Sequence, residues 1–262
     1  MIQSKKYNIQ LQDRDIEILK FINIFGYTFL KVIESTFFEE HSNDSNSASK
    51  RIKLLERGGY ILLKDTEFRS YARAIFLTRK AKVYLHSVVG IDEDDIIKHK
   101  RLSSALVHQV AEQLAYYNLK KLGGTIERTT VHKFNKKLRH TPDFIYTSAA
   151  GLRMYIEIET SIKSVEAYNN IYKRVRETDD RYRPERIIYV LSGGVNIDTI
   201  AKKLPSTDSK ISISLISLEE MIGNIKEYGQ PRPKKLEDIL DNIMLRDEEK
   251  IINLIQSEKA KC

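Results

Sequence analysis

The segment from Arg186 to Ser192 constrains the fold of this chain more than any other part of the sequence. It reads Arg-Ile-Ile-Tyr-Val-Leu-Ser, so five successive apolar or aromatic residues stand between its polar ends. Such a run lacks the alternation of a strand with one solvated face and is typical of a strand covered on both faces. It therefore predicts an α/β architecture in which helices lie on both sides of a sheet.

The residues on either side of this strand extend the same architecture. Turn residues and apolar spacing predict further strands at 125–131, 140–147, 153–160 and 211–216, and helices at 96–122, 164–182, 196–204 and 218–228. We therefore expect a mixed-sheet domain with flanking helices over residues 96–228. The remaining residues, 229–262, are predicted to form a proline-containing linker and a charged helix.

The first 90 residues have a different pattern. Apolar side chains three and four positions apart predict helices at 13–25, 28–38 and 45–57, and two short runs predict strands at 60–64 and 72–78, followed by a helix over 78–88. Three helices and then a hairpin is the order of a winged helix-turn-helix domain. We place this domain at residues 8–91, with the acidic segment 90–95 as the domain boundary, so that the chain as a whole is α+β.

Charge and cysteine content limit the partners and ligands. The net charge is +8, and the excess is concentrated in residues 96–140, which hold ten Lys or Arg against two acidic residues. A basic surface of this kind suits a polyanion such as double-stranded DNA. The one cysteine, Cys262, cannot form an internal disulfide or a zinc cluster, so a metal would need carboxylate and histidine ligands. With neither a signal-type segment nor an apolar run of 18 residues, we expect a cytoplasmic protein without a membrane partner.

The start of the third predicted helix is the candidate DNA-reading element. It carries small polar residues and cations, which can enter a major groove. The residues expected to contact DNA are Asn46 and Ser49 at base edges, Lys50, Arg51 and Lys53 at phosphates, and Arg69 and Arg73 in a minor groove beside the hairpin. The alternative is a winged helix used for protein contacts.

Three carboxylates mark a candidate metal site. Pro142-Asp143 stands in one predicted strand, and Glu157-Ile158-Glu159 lies within the next. Because strand side chains alternate, Glu157 and Glu159 point to the same face, and a hairpin would bring Asp143 beside them. Such acids repel one another unless a hard divalent cation, Mg²⁺ or Mn²⁺, neutralises them. His140 is a candidate to bond a phosphate or a metal-bound water. The alternative is an exposed strand face with scattered acids.

These motifs resemble the PD-(D/E)XK nuclease superfamily, in which a Pro-Asp precedes a Glu-x-Lys on adjacent strands of an αβββαβ core. The matching residues are Pro142, Asp143, Glu157 and Glu159, with Glu159 where lysine is usual. The resemblance implies a restriction-endonuclease-like domain, a lysine supplied by the following helix (Lys163 or Lys173), and an upstream acid, Glu112 or Glu127.

From about residue 10 to 220, the chain also resembles the replication-relaxation family of plasmids and other mobile elements. The shared pieces are His108, Pro142-Asp143, the run from Glu157 to Ser161, and the tyrosines Tyr168, Tyr172 and Tyr182. The resemblance implies a winged helix joined to a nuclease-like domain, and relaxase-like activity at an origin of transfer or replication, with other relaxosome proteins as partners.

The resulting hypothesis is a site-specific, Mg²⁺- or Mn²⁺-dependent DNA nickase of plasmid or conjugative-element mobilisation. The expected catalytic residues are Asp143, Glu157, Glu159, His140 and Lys173, and the expected metal ligands are Asp143, Glu157, Glu159 and Glu112. Two alternatives stay open. One is an inactive accessory or regulatory DNA-binding protein that retains the nuclease fold, and the other is a module that recruits replication or transfer proteins. The sequence leaves the oligomeric state open.

Overall fold

The computed structural model describes residues 9–38, 46–66, 71–97, 105–129, 138–206 and 211–222. These residues form helices and two sheets, which confirms the mixed α/β class. The chain divides into two compact units, Met1–Gln113 and Leu114–Cys262, so the division falls within a helix rather than at the acidic segment 90–95. The predicted C-terminal linker and helix, 229–262, lie outside the described residues.

The first unit combines helices with a small antiparallel sheet. Its elements are α1 (Asp13–Phe25), β1 (Thr28–Phe29), α2 (Leu30–Phe37), α3 (Ser47–Arg57), β2 (Ile61–Asp65), β3 (Arg73–Leu77), α4 (Arg79–Ser87), a short 3₁₀ turn (Glu93–Asp95) and α5 (Leu106–Lys121), whose second half belongs to the other unit. The sheet order is β1-β3-β2. Its core is built from fully buried aliphatic and aromatic side chains, among them Ile18, Ile22, Tyr27, Ile33 and Leu55.

Contacts with other elements shift the starts of two predicted helices to later residues than the sequence pattern indicates. The second begins at Leu30 rather than Thr28, because Thr28 and Phe29 pair with Ile75 and Ala74 of β3. The helix predicted over 96–122 has its described part from Leu106, and Ile96 and Ile97 are not helical. The Asn23 side chain explains their conformation, since it donates to the Asp95 carbonyl and accepts from the Ile97 amide.

The second unit contains a five-stranded mixed sheet. Its further elements are β4 (Thr125–Arg128), β5 (Phe144–Thr147), β6 (Arg153–Glu159), α6 (Val165–Arg176), β7 (Arg186–Leu191), α7 (Ile197–Ala201), β8 (Ser212–Ser217) and α8 (Leu218–Ile222). The order is β4-β5-β6-β7-β8, with antiparallel pairing from β4 to β6 and parallel pairing from β6 to β8. From Ile187 to Leu191, β7 is buried throughout, as its uninterrupted apolar run predicts.

The two faces of this sheet are covered by different helices. Tyr168 of α6 packs edge-on against Tyr189 of β7, with ring centroids 5.6 Å apart. On the opposite face, Tyr116 of α5 contacts Phe144 of β5, with centroids 5.9 Å apart. A helix therefore covers each face of the sheet, and β6 lies between β5 and β7 in the middle of the sheet. None of the helices in the described part of the chain has the length and apolar content needed to cross a membrane.

An ion pair fixes α3 against α1 in the first unit. Arg51 donates from Nε to Asp15 Oδ1 at 2.7 Å and from its NH2 group to Oδ2. Asp15 is fully buried, and its Oδ2 also accepts from the Gln12 amide at the start of α1. Because an unpaired buried carboxylate is costly, this bond between residues 36 positions apart in the chain holds α1 and α3 together.

Arg51→Ala should therefore destabilise the first unit by about 3 kcal/mol, since it leaves Asp15 buried without its cation. Thermal and urea unfolding of the full chain measure this loss. Lys53→Ala is the matched control, because Lys53 lies exposed on the same helix. Adding Asp15→Asn to Arg51→Ala should recover part of the loss by removing the buried charge. Equal stability of Arg51→Ala and Lys53→Ala would show that the pair does not stabilise the fold.

Candidate functional site

The pairing of β5 with β6 positions the first two acids. Phe144 pairs with Ile156 in antiparallel register, so Asp143, one residue earlier, stands across from Glu157. Asp143 Oδ2 accepts a hydrogen bond from the Ile158 backbone amide at 2.7 Å, which ties this carboxylate to the neighbouring strand. The hairpin predicted from the sequence therefore does bring Asp143 beside the acids of β6.

The two glutamates of β6 are buried. Alternation along the strand puts Tyr155, Glu157 and Glu159 on one face, and the exposed fractions of the two glutamates are 7% and 1%. Tyr155 lies in the same hydrophobic cluster as Tyr168 and Tyr172 of α6, so this face lies beneath that helix. The acids are thus not scattered over a solvated strand, and each needs a partner inside the fold.

Glu157 has a histidine as its partner. His140 Nε2 lies 2.7 Å from Glu157 Oε1. Burial raises the pKa of Glu157, and the hydrogen bond from His140 acts in the opposite direction. The charge of Asp143 raises the pKa further, whereas that of Lys163 lowers it. Glu157 is therefore a buried carboxylate on which a histidine, a second acid and a lysine act together.

Glu159 is paired with Lys163. The Lys163 ammonium donates to Glu159 Oε1 from the segment between β6 and α6, and it lies 5.8 Å from the centre of the Tyr168 ring. Lys173, the catalytic lysine expected from the sequence, is exposed on α6. Of the two lysines that the sequence offers, Lys163 is the one bonded to the acids, because the turn after β6 returns its side chain to the strand end.

Tyr189 is a site residue that the sequence reasoning did not single out. It pairs in register with Glu157 across the parallel β6–β7 ladder and is fully buried. Its hydroxyl has no hydrogen-bond partner within the described part of the chain. Burial, together with the charges of Glu157 and Glu159, raises its pKa. A tyrosine in the middle of an otherwise aliphatic strand was the available signal. Within the described part of the chain, this hydroxyl is a buried polar group without a hydrogen-bond partner, on the residue that pairs with Glu157.

The described residues of α5 also include a histidine and a glutamate, His108 and Glu112, whose side chains are of the kind that can hold a metal ion. Glu112 is buried in α5, one turn after His108, and the two side chains lie 3.2 Å apart. Glu127, the other upstream acid, is exposed in β4. Carboxylate oxygens and an imidazole nitrogen are ligands for divalent cations, so this donor set is chemically suited to one.

The candidate DNA-contacting residues lie on α3 and the β2–β3 hairpin. Asn46 precedes α3 as its N-cap residue, Lys50 and Lys53 are exposed, and Ser49 is half-buried. Arg51, expected at a phosphate, is instead bonded within the fold to Asp15. Arg73 is exposed at the start of β3, with its Nε 3.3 Å from Asp65 Oδ1, and Arg69 lies outside the described residues.

The raised pKa of Glu157 predicts a pH-dependent stability. The folded protein keeps the proton of the Glu157 carboxyl to a higher pH than the unfolded chain, in which a glutamate has a pKa of about 4.3. The free-energy cost of ionising Glu157 in the folded protein is therefore absent below the unfolded-state pKa and reaches its full size above the folded-state pKa. Glu157→Gln should melt higher than the parent at neutral pH, and the difference should shrink as the pH falls towards 4.

Melting curves across this pH range test the expectation, with Glu127→Gln as the control at an exposed glutamate of β4 in the same sheet. The control should show no comparable gain at neutral pH. A Glu157→Gln difference that stays constant with pH would mean that ionisation of this group does not govern the stability of the site.

Comparison with known proteins does not identify this site, so its chemistry has to be inferred from its geometry. No protein-family model, curated protein or solved structure matches the chain. The resemblances carried by the short motifs around Asp143 and Glu157 therefore stay expectations. The function of the chain has to be inferred from the chemistry of a buried acid pair with a histidine, a lysine and a tyrosine whose hydroxyl has no partner among the described residues.

Proposed function

We propose that this protein is a site-specific DNA-binding protein that cuts one strand with a metal-dependent site in its second unit. The observation that carries the proposal is the gathering of Asp143, Glu157, Glu159 and Lys163 around the paired ends of β5 and β6. The order α5-β4-β5-β6-α6-β7, with an antiparallel meander followed by a parallel strand, supports a nuclease-like core of the αβββαβ kind.

The donor set fits a hard divalent cation. Asp143 and Glu157 face one another at adjacent strand positions, and their mutual repulsion contributes to the raised pKa of Glu157. Mg²⁺ and Mn²⁺ prefer such carboxylate oxygens as ligands. When bound, the cation supplies polarisation of a phosphodiester and activation of a water molecule.

The remaining side chains have distinct roles in this proposal. His140 holds the Glu157 carboxylate in one orientation through its 2.7 Å contact. Glu159 holds the Lys163 ammonium at the strand end, where a positive charge would stabilise the negative charge that develops on a cleaved phosphate. Lys163 thus takes the role that the sequence assigned to Lys173, while Glu159 acts through the lysine as a positioning residue.

DNA recognition belongs to the first unit in this proposal. Helices α1, α2 and α3 followed by the β2–β3 hairpin support a winged helix-turn-helix, with α3 as its reading helix. Lys50 and Lys53 are exposed there and suited to phosphates, whereas the bonding of Arg51 to Asp15 assigns it to the fold. Double-stranded DNA is the partner, and the resemblance to replication-relaxation proteins suggests an origin of transfer or replication on a mobile element as the target.

A second candidate function has its own supporting observation. Glu159 stands where the nuclease pattern has its lysine, and its ion pair with Lys163 neutralises both charges. A DNA-binding accessory protein that keeps the nuclease fold without cleavage would tolerate this arrangement. Metal binding and cleavage therefore have to be measured separately.

Metal binding should appear as stabilisation of the folded chain. A cation that binds only the folded state adds about 2.7 kcal/mol when present at 100 times its Kd. Mn²⁺ or Mg²⁺ should thus raise the melting temperature, whereas Na⁺ at matched ionic strength should not. Asp143→Asn should abolish the shift, and Glu127→Gln, at the exposed acid of β4, should keep it. Absence of a shift at millimolar metal, with Asp143→Asn behaving as the parent, would exclude a metal site at these acids.

Nicking separates the two candidate functions. The parent should convert its supercoiled cognate plasmid to open circles in Mn²⁺, as read on agarose gels. Lys163→Ala should abolish this conversion while the metal-dependent melting shift persists, and Lys173→Ala, at the exposed position of α6, should nick normally. A metal shift without nicking by the parent would support the inactive accessory protein. Loss of nicking in Lys173→Ala, with Lys163→Ala active, would reverse the assignment of the lysines.

The salt dependence of DNA affinity tests the role of α3. Each phosphate contact contributes about 0.9 to the slope of log K against log salt concentration, so Lys50→Ala and Lys53→Ala should each lower the slope by about one. Fluorescence anisotropy at several salt concentrations measures it. Lys202→Ala, at an exposed lysine just after α7, is the control and should leave the slope unchanged. Parental slopes for both α3 variants would remove this helix from the DNA interface.

A further inference from the structure

A cavity of about 800 Å³ lies within the first unit, between α1, the β2–β3 hairpin, α4 and the segment 93–97. Its size is within the range of small-molecule sites in proteins. None of the residues proposed for DNA contact or for the acid cluster lines it. The cavity is thus a separate feature, and neither metal binding nor DNA cleavage gives it a role.

The walls of this cavity carry apolar side chains that are exposed among the described residues. Leu62 of β2 is 46% exposed and Val83 of α4 is 55% exposed, and both line the cavity with the fully buried Ile22 of α1. Apolar surface of this kind gains free energy when it is removed from water. An apolar molecular body in the cavity would cover both side chains at once.

The same walls carry an excess of positive charge. Four cationic or titratable residues line the cavity, namely Lys64, Arg79, Lys82 and His86, against Glu93 as the acid among the lining residues. Burial lowers the pKa of Lys82, because its ammonium has lost part of its hydration. An anionic group in the cavity would compensate that lost hydration.

Contacts within the fold hold the walls in place. The Asn23 side chain bonds to the Asp95 carbonyl at 2.9 Å and to the Ile97 amide at 3.2 Å, which attaches the segment 93–97 to α1. On the α4 side, His86 Nδ1 lies 2.9 Å from the Ile91 carbonyl. The cavity is therefore built by hydrogen bonds that are already formed, so a ligand would enter a largely shaped site.

We propose that this cavity is a binding site for a small organic anion with an apolar body, such as an acyl or aromatic carboxylate. The apolar body covers Leu62 and Val83, and the anionic group lies near Lys82 and its cationic neighbours. A neutral apolar molecule would gain nothing from the positive charge of these side chains, and an inorganic anion would leave the apolar walls in water. This site is independent of the proposed cleavage chemistry, so an experiment that contradicts one of the two proposals does not contradict the other.

The test uses the full-length protein and 1-anilinonaphthalene-8-sulfonate, an amphipathic anion that fluoresces when it leaves water. The probe should bind saturably with one site per chain. Decanoate should displace it at a concentration about ten-fold below that of decanol, which has the same chain without the charge, and inorganic phosphate should not displace it. Equal potency of decanoate and decanol would overturn the anion assignment, and the absence of saturable binding would overturn the site.

Variants locate the binding. Val83→Glu and Lys82→Gln should each weaken decanoate binding about ten-fold, the scale of one lost contact to a charged group. The matched controls are Val88→Glu, at a 67%-exposed valine outside the cavity, and Lys53→Gln on α3, and both should bind as the parent. Parental melting temperatures in all four variants exclude unfolding as the cause. Parental binding in Val83→Glu and Lys82→Gln would place the probe elsewhere and overturn the proposal.

Discussion

The pairing of β6 with both of its neighbours is the constraint on which the second unit depends. Antiparallel pairing with β5 and parallel pairing with β7 leave the strand no solvent-facing edge, and helices lie on both faces of the sheet. Strand alternation then sends Glu157 and Glu159 into the layer under α6, where Tyr168 and Tyr189 pack. The strand register thus places two carboxylates inside a layer of aromatic side chains. The surrounding residues have to offset the free-energy cost of burying these charges.

The way in which the buried charges of Glu157 and Glu159 are paired is the reason to regard this region as a candidate functional site. Buried charges cost free energy even when they are paired, so a fold selected only for stability would gain from apolar residues at these positions. The chain instead retains Glu157 with His140 and Glu159 with Lys163, and it leaves the Tyr189 hydroxyl without a bonding partner in the described structure. An arrangement that is electrostatically costly and incompletely satisfied is more readily explained by a ligand than by folding.

Local patterns in the sequence predicted much of this fold, and contacts between distant residues account for what they missed. The apolar run of β7 and the Glu-x-Glu of β6 are patterns of consecutive residues, so both strands and the shared face of the two acids could be predicted. The pairing of Thr28 with β3 depends on residues more than 40 positions away, which periodicity does not encode. The choice of Lys163 over Lys173 depends on the path of a turn, and the role of Tyr189 depends on a parallel register.

Helix α3 combines a cation that stabilises the fold with exposed cations that the proposal assigns to DNA recognition. Successive residues of a helix lie about 100° apart, so Arg51 points inward to Asp15 while Lys50 and Lys53 remain exposed. Loss of DNA binding after replacement of all three cations would therefore mix two causes. Unfolding lowers the fraction of competent protein at every salt concentration and leaves the salt dependence of the folded fraction unchanged, whereas loss of a phosphate contact changes the slope itself. The slope therefore separates a cation that holds the helix from one that contacts DNA.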